Sequence, residues 1–289
     1  MQVEDRIRAL PIWAGDVRLS RLGGGITNVN FLAEDAARRA VVRVGDDIPV
    51  HGILRFNELA ASRAAHAAGI SPAVLYAAPG LLVIDFIEGR TLSAPDLQQE
   101  VLLDQALDLV IRTHRDLPKF LRGASLTFWV FQVLRDYTAT LVAGASPHAA
   151  VLPGLMGEAA ALEVAVGRIE MVFGHNDLLP ANFLHDGARM WLVDWDYAGW
   201  GSPLFDLGGL AANNGLSEAQ ERRMLIRYYG ALEPGLMQRY RAMKAAAALR
   251  EAMWSMVSEI HSKLAFDYAA YTAANLATYR AALDAWRQT

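Results

Sequence analysis

The 289-residue sequence contains no cysteine. That absence excludes a disulfide scaffold, a thiol nucleophile and a thiolate metal site. Net charge is also scarce: 31 acidic against 27 basic residues leave a formal charge of −4, so a basic face for nucleic acid is not indicated. The longest charge-free stretch, from Tyr137 to Gly157, is broken by Pro147 and Pro153 and makes a poor membrane span. The start, MQVEDRIRAL, lacks the apolar core of a signal peptide, so the expectation is a cytoplasmic protein without membrane insertion. Seven histidines show no zinc spacing such as H-E-x-x-H. Lysine is missing until Lys119.

What is present is an ordinary folded composition, 53% hydrophobic and 20% charged. The length suits two domains, or one domain with two lobes. The first 88 residues carry strand-like runs, VRLSRL, VNFLAED, AVVRVGD, AVLYAA and LLVIDFI, with one helix from about Leu54 to Ala68. Gly69 is placed to end that helix, and Pro79-Gly80 separates the last two strands. EGRTLSAPD reads as a linker. Beyond it the pattern is mainly helical, near 96–118, 126–143, 155–168, 217–231 and 235–285. The exception is a strand at VFGH followed by a hairpin turning at Asp186-Gly187. The expected fold is therefore α+β and two-lobed: a small antiparallel-sheet N-lobe over residues 1–88 with one main helix, and a larger, mostly helical C-lobe over 89–289.

The segment richest in chemistry is His175-Asn176-Asp177-Leu178-Leu179-Pro180-Ala181-Asn182, followed by the acidic loop Asp194-Trp195-Asp196-Tyr197. Phosphoryl transfer from a nucleotide needs a carboxylate against the attacking hydroxyl. It also needs a neutral oxygen and a carboxylate to hold Mg²⁺ on the phosphates. A five-residue step from Asp177 to Asn182 lets one loop present two of these groups, and the hairpin returns Asp194 beside them.

These loops resemble those of the protein-kinase-like phosphotransferases, specifically the choline/ethanolamine kinase family, with aminoglycoside phosphotransferases more distant. HNDLL with Asn182, the loop DWDY, Gly199 and the Phe205-Asp206 pair carry the resemblance. It implies ATP and Mg²⁺ as cofactors, Asp177 as catalytic base, and Asn182 and Asp194 as magnesium ligands. His175 would brace the loop, and Asp206 would accept hydrogen bonds from its backbone. Asp196 is left either to assist the metal or to orient a substrate.

For nucleotide binding, Gly23, Gly24, Gly25, Thr27 and Asn28 form a loop between two strands, where glycines let backbone N–H groups approach phosphate. A plain tight hairpin is the alternative. With lysine absent, Arg43 in the apolar strand VVRV is the expected phosphate-binding cation, as the family resemblance also implies, paired with Glu58 on the following helix. A solvated helix face is the other reading of Glu58. Backbone groups of Asp85 and Ile87 are the candidates for adenine.

A quaternary ammonium donates no hydrogen bond from nitrogen, so its site must use aromatic faces and carboxylates. The resemblance points to Tyr197, Trp254, Tyr268 and Tyr271; simple helix packing is the competing account of these aromatics. Glu251 stands where the family usually has a second tryptophan, and Asn213 near the position of an expected acid, so Glu251 is the expected replacement for that carboxylate in the acceptor pocket. The triplet His114-Arg115-Asp116 spells a protein-kinase motif, but Leu121 stands where its Asn would be, so it reads as a helix-surface or capping set. The expected function is ATP- and Mg²⁺-dependent phosphorylation of a small cationic alcohol, most directly choline or ethanolamine. An aminoglycoside or thiamine kinase, and a nucleotide-binding regulator without turnover, are the alternatives. Oligomeric state is not legible.

Overall fold

The computed structural model describes residues 2–23, 28–262, 264 and 266–288. Gly24, Gly25 and Thr27 lie outside the described residues. The chain opens with helix α1 (Val3–Arg8), which the sequence reading did not anticipate. Strands β1 (Arg18–Leu22), β2 (Val29–Glu34) and β3 (Arg39–Val44) follow, then helix α2 (Arg55–Ala67), β4 (Val74–Ala78) and β5 (Leu81–Asp85). All five strands join one antiparallel sheet in the order β1-β2-β3-β5-β4. Register places Arg43 opposite Leu82 and Asn30. Phe31, Ala33, Ala40, Val42 and Val83 alternate onto one buried face against Ile7 of α1. The buried residues of α2 (Ala61, Ala64, Ala65) instead join the main core of the helical part, so α2 connects the sheet to that part.

The remainder begins with a two-residue strand β6 (Arg90–Thr91) and helices α3 (Ala94–Leu97), α4 (Glu100–Arg115), α5 (Val130–Ala143) and α6 (Leu152–Val166). Strand β7 (Val172–Gly174) precedes the hairpin β8 (Phe183–His185) and β9 (Met190–Leu192), which turns at Asp186-Gly187. A further strand, β10 (Gly199–Gly201), pairs with β7. Helices α7 (Pro203–Asn214), α8 (Glu218–Tyr229), α9 (Leu236–His261) and α10 (Tyr268–Arg287) complete the order.

Three helical expectations need correction. The pattern read over 235–285 is two helices, because α9 ends at Ser262 and Asp267 caps α10 by accepting the N–H of Ala270 at 2.9 Å. The pattern at 96–118 is likewise interrupted, between α3 and α4. Helix α7 was missed because FDLGGLAANN has poor helix propensity. Its local signals are Ser202, whose hydroxyl caps Leu204, and Pro203 in the first turn. Gly208 is used for packing: a Cβ there would lie 2.9 Å from the Cα of Lys244 on α9.

Among the described residues one helical segment, Ala149–Val166, is long and apolar enough to cross a membrane. Both of its glutamates, however, are held by side chains of other helices: Glu163 by Arg135 and Glu158 by Tyr279 and Arg287.

Candidate active site

Strand β7 delivers His175, Asn176 and Asp177 to the end of α7. There the carboxylate of Asp206 accepts the backbone N–H of His175 at 2.8 Å and that of Asn176 at 2.7 Å. Burial opposes ionisation of Asp206, but the hydrogen bonds from His114 and the backbone of His175 outweigh it and hold the carboxyl below its usual range. His175 is fully buried. Its Nε2 donates to Val193 O at 2.9 Å and its Nδ1 accepts the N–H of Asp177 at 3.3 Å. That pattern needs a neutral ring, and burial lowers the imidazole's proton affinity accordingly. His175 thereby ties the loop carrying Asp177 to the segment before Asp194.

Asn176 and Asp194 both adopt left-handed backbone, with φ of 64° and 67°. Asn and Asp tolerate this region better than most residues. Asn176 earns its conformation by anchoring: its side-chain amide donates to Tyr197 O at 2.9 Å. Asn182 turns its amide toward Asp177, donating to the backbone carbonyl at 2.8 Å and to Oδ2 at 3.2 Å. The N–H of Val193 donates to Asn182 O at 3.0 Å, which sets Asp194 one residue beyond that bond. The carboxylate of Asp177 is 15% exposed. Burial raises its pKa, opposed by Arg250 and reinforced by Glu251 and Asp194.

Arg43 crosses from the sheet to this loop. Its Nη1 reaches Glu58 at 2.5 Å and Asp194 at 3.2 Å, and its Nη2 pairs with Asp196. Arg55 adds bonds to Glu58 at 2.8 Å, Asp196 at 2.7 Å and Asn28 at 2.6 Å, and Asn28 also donates to Asp196. Glu58 is buried, which removes the solvated-face reading. Although burial opposes the charge on Arg43, Asp194, Asp196 and Glu58 together raise its pKa. Glu58 also moves upward, because burial and the neighbouring Asp196 exceed the pull of Arg43 and Arg55. The two directions are compatible, since two guanidiniums are divided among three carboxylates.

Of the other nucleotide-side residues, Gly23 is exposed at the end of β1. The N–H of Asp85 is committed to Ala73 O at 2.8 Å, so an adenine contact there falls to its carbonyl and to Ile87.

Of the residues expected to hold an acceptor, Tyr197, Glu251, Trp254 and Tyr268 are buried, and Tyr271 is half-buried. Trp254 Nε1 donates to Tyr197 OH at 2.7 Å, and Tyr271 OH donates to Glu251 Oε1 at 2.8 Å. The ring centroids of Tyr268 and Tyr271 lie 6.1 and 6.3 Å from that of Trp254. The four aromatic rings lie in or against the main core, and Glu251 lines the cleft at Asp177. A cavity of about 310 Å³ adjoins Asp196 and Tyr197, walled by His51, Thr127 and Phe128. The cleft at Asp177 itself, shared with Asn213, Arg250 and Glu251, holds only about 10 Å³.

Several residues escaped the sequence reading. His114, read as a surface or capping residue, is buried; its Nε2 donates to Asp206 at 2.9 Å and its Nδ1 accepts from Tyr228 OH at 2.7 Å. Arg55 had a signal in its i,i+3 spacing to Glu58. Arg250 had one too, as a charge directly after the buried apolar run Ala245–Leu249.

Magnesium is tested against this set by charge and donor type. The cluster sets three carboxyl groups, Glu58, Asp194 and Asp196, against two guanidiniums, Arg43 and Arg55. Asp194 is 36% exposed at its side chain, and Asn182 offers a carbonyl oxygen once its amide is spent on Asp177. Hard oxygen donors suit Mg²⁺. Among the described residues no group of three or more His, Asp or Glu side chains is placed to hold a metal. Nucleotide phosphates and water would therefore complete the coordination, the usual arrangement for this ion.

A sequence profile of the APH phosphotransferase enzyme family matches residues 18–245. Protein LicA of Haemophilus influenzae is 28% identical over 212 residues, 71% of this chain; the chain spans 61% of that protein, less than two thirds. Ethanolamine kinase 2 of Mus musculus is 26% identical over 90% of this chain and 75% of its own length. A crystal structure of a choline/ethanolamine kinase family protein from Mesorhizobium loti superposes with a TM-score of 0.76 and 27% identity, covering all of both chains. The profile takes in the loops at 175–182 and 194–197 and the sheet with Arg43, so the chain belongs to the phosphotransferase enzyme family and is a kinase-like enzyme with that family's two-lobed α+β fold.

Proposed function

We propose that this enzyme transfers the γ-phosphoryl group of ATP to the hydroxyl of a small amino alcohol, of the choline or ethanolamine type. The observation that carries this reading is the junction of Asp177, Asn182 and Asp194: the Asn182 amide sits on Asp177, and the Val193–Asn182 bond sets Asp194 alongside. A carboxylate, a neutral oxygen and a second carboxylate are the groups that transfer requires.

In this proposal Asp177 accepts the proton of the acceptor hydroxyl as its oxygen bonds to the γ-phosphorus and the bridging oxygen leaves with ADP. A carboxylate with a raised pKa is a better base for this step than an ordinary aspartate. The loose transition state asks more for position than for proton transfer. His175, Asn176 and Asp206 supply that position by fixing the loop backbone. Asn182 and Asp194 would hold Mg²⁺, which neutralises phosphate charge when bound. Arg43, steadied by Glu58, would face the phosphates. Gly23, Gly24, Gly25, Thr27 and Asn28 would cover them, and the backbone at Asp85 and Ile87 would take adenine. Tyr197, Glu251, Trp254, Tyr268 and Tyr271 would enclose the acceptor. Residues 1–88 then form the nucleotide lobe and 89–289 the catalytic and acceptor lobe, in a cytoplasmic setting where ATP is abundant.

The test is ADP release measured with and without choline, ethanolamine, an aminoglycoside and thiamine. Acceptor-dependent release with an amino alcohol supports the proposal. Nucleotide binding without any turnover sinks it.

A further inference from the structure

We propose that Arg250 sets the acceptor class: its guanidinium holds the ring face of Tyr197, so the enzyme prefers an ammonium bearing N–H bonds and disfavours a quaternary one. This deepens the reaction proposed above and rests on it.

Arg250 lies on α9 and is 3% exposed. Its Cζ stands 4.2 Å from the Tyr197 ring centroid and 5.7 Å from that of Phe128. Its Nη1 pairs with Glu251 Oε2 at 3.0 Å and lies 3.8 Å from Asp177 Oδ1. The Nε and Nη2 groups have no hydrogen-bond partner among the described residues. The hydroxyl of Tyr137 and the ring face of Tyr197 help to offset the buried charge. The Tyr197 ring is also pinned, because its hydroxyl accepts from Trp254. The surface a quaternary ammonium would use is thus held by a cation of the protein's own.

A cationic acceptor is still admitted. Asp177 and Glu251 set two carboxyl groups against the one guanidinium of Arg250. Each carboxylate oxygen can accept more than one hydrogen bond, so an N–H-bearing ammonium has partners that a quaternary nitrogen lacks. Every N-methyl group added to the nitrogen also removes a donor that these carboxylates could use.

The experiment is a graded acceptor series: ethanolamine, N-methylethanolamine, N,N-dimethylethanolamine and choline, with kcat/KM read from ADP release. In the wild type kcat/KM falls at least tenfold from ethanolamine to choline. In Arg250→Met, checked for folding by its thermal shift with ATP–Mg²⁺, the ratio narrows to within threefold. A wild type that uses choline as well as or better than ethanolamine overturns this inference alone, whether or not the variant folds. An unchanged ratio in a folded Arg250→Met does the same. Absence of turnover across the whole series overturns the proposed reaction, and this inference with it.

Discussion

The imidazole of His114 donates to the carboxylate of Asp206 at 2.9 Å across 92 residues of chain, and neither side chain reaches solvent. The same carboxylate holds the backbone N–H groups of His175 and Asn176. One buried acid on α7 thereby fixes the loop that presents Asp177.

Removing that acid leaves three buried donors without an acceptor. Each such donor costs about 1–3 kcal/mol, so Asp206→Ala should destabilise the fold by several kcal/mol, read as a lowered urea midpoint. His114→Phe deletes one of the three bonds and should cost clearly less. An Asp206→Ala protein as stable as the wild type would refute the bracing role.

Asp177→Asn keeps the shape of the side chain while removing the base. The rate should fall by about 10²–10⁴-fold. ATP affinity, measured by titration, should stay within about threefold, because Asp177 is not assigned to the nucleotide. Near-normal turnover would remove Asp177 from the role of base.

Arg43→Met leaves the buried Glu58 and Asp196 to share Arg55 alone. Breaking a buried ion pair from one side costs about 3–5 kcal/mol. The variant should melt well below the wild type and show a raised KM for ATP. An unchanged KM in a folded variant would separate Arg43 from the phosphates.

Gly208→Ala sets two effects against each other. Alanine improves helix propensity by about 1 kcal/mol over glycine. The new Cβ would meet the Cα of Lys244 at 2.9 Å, a backbone atom that yields only if α7 and α9 separate. Overpacking of this kind costs about 1–3 kcal/mol. Net destabilisation is expected in a denaturant titration, and a more stable variant would contradict the close α7–α9 contact.

His51 gives a pH dependence. It is buried between Trp254 and Tyr137, with its two nitrogens near Tyr137 OH and Ser258 Oγ. Burial, then the positive charges of Arg250 and His261, pull its pKa down to about 3. The unfolded ring protonates near its usual value of about 6.5, so acidification feeds protons to the unfolded state first. The stabilising effect is complete above about pH 6.5 and is lost progressively as pH falls toward 3. At about 1.4 kcal/mol per pH unit, some 2 kcal/mol goes between pH 7 and pH 5. His51→Gln should show a flatter stability profile over that interval. Parallel wild-type and variant profiles would exclude His51 as the source.

Much of this protein is local and therefore readable from residue order. Alternating runs and the Pro79-Gly80 turn define the five-stranded sheet, since strand faces follow a period of two. The turn Asp186-Gly187 defines the hairpin that carries Asp194 back toward Asn182. The spacing within HNDLLPAN and DWDY was enough to suggest the chemistry, because loop and hairpin lengths limit where those side chains can go. Helix α7 was illegible for the opposite reason: its glycines serve contact with α9 at the expense of local propensity. The roles of His114, Arg55 and Arg250 required the folded chain. Whether a charged side chain faces water or a buried partner depends on residues far away in the chain, and no local pattern encodes that distance. Residue order marked out the candidate reacting groups; long-range packing decided which charges are buried around them.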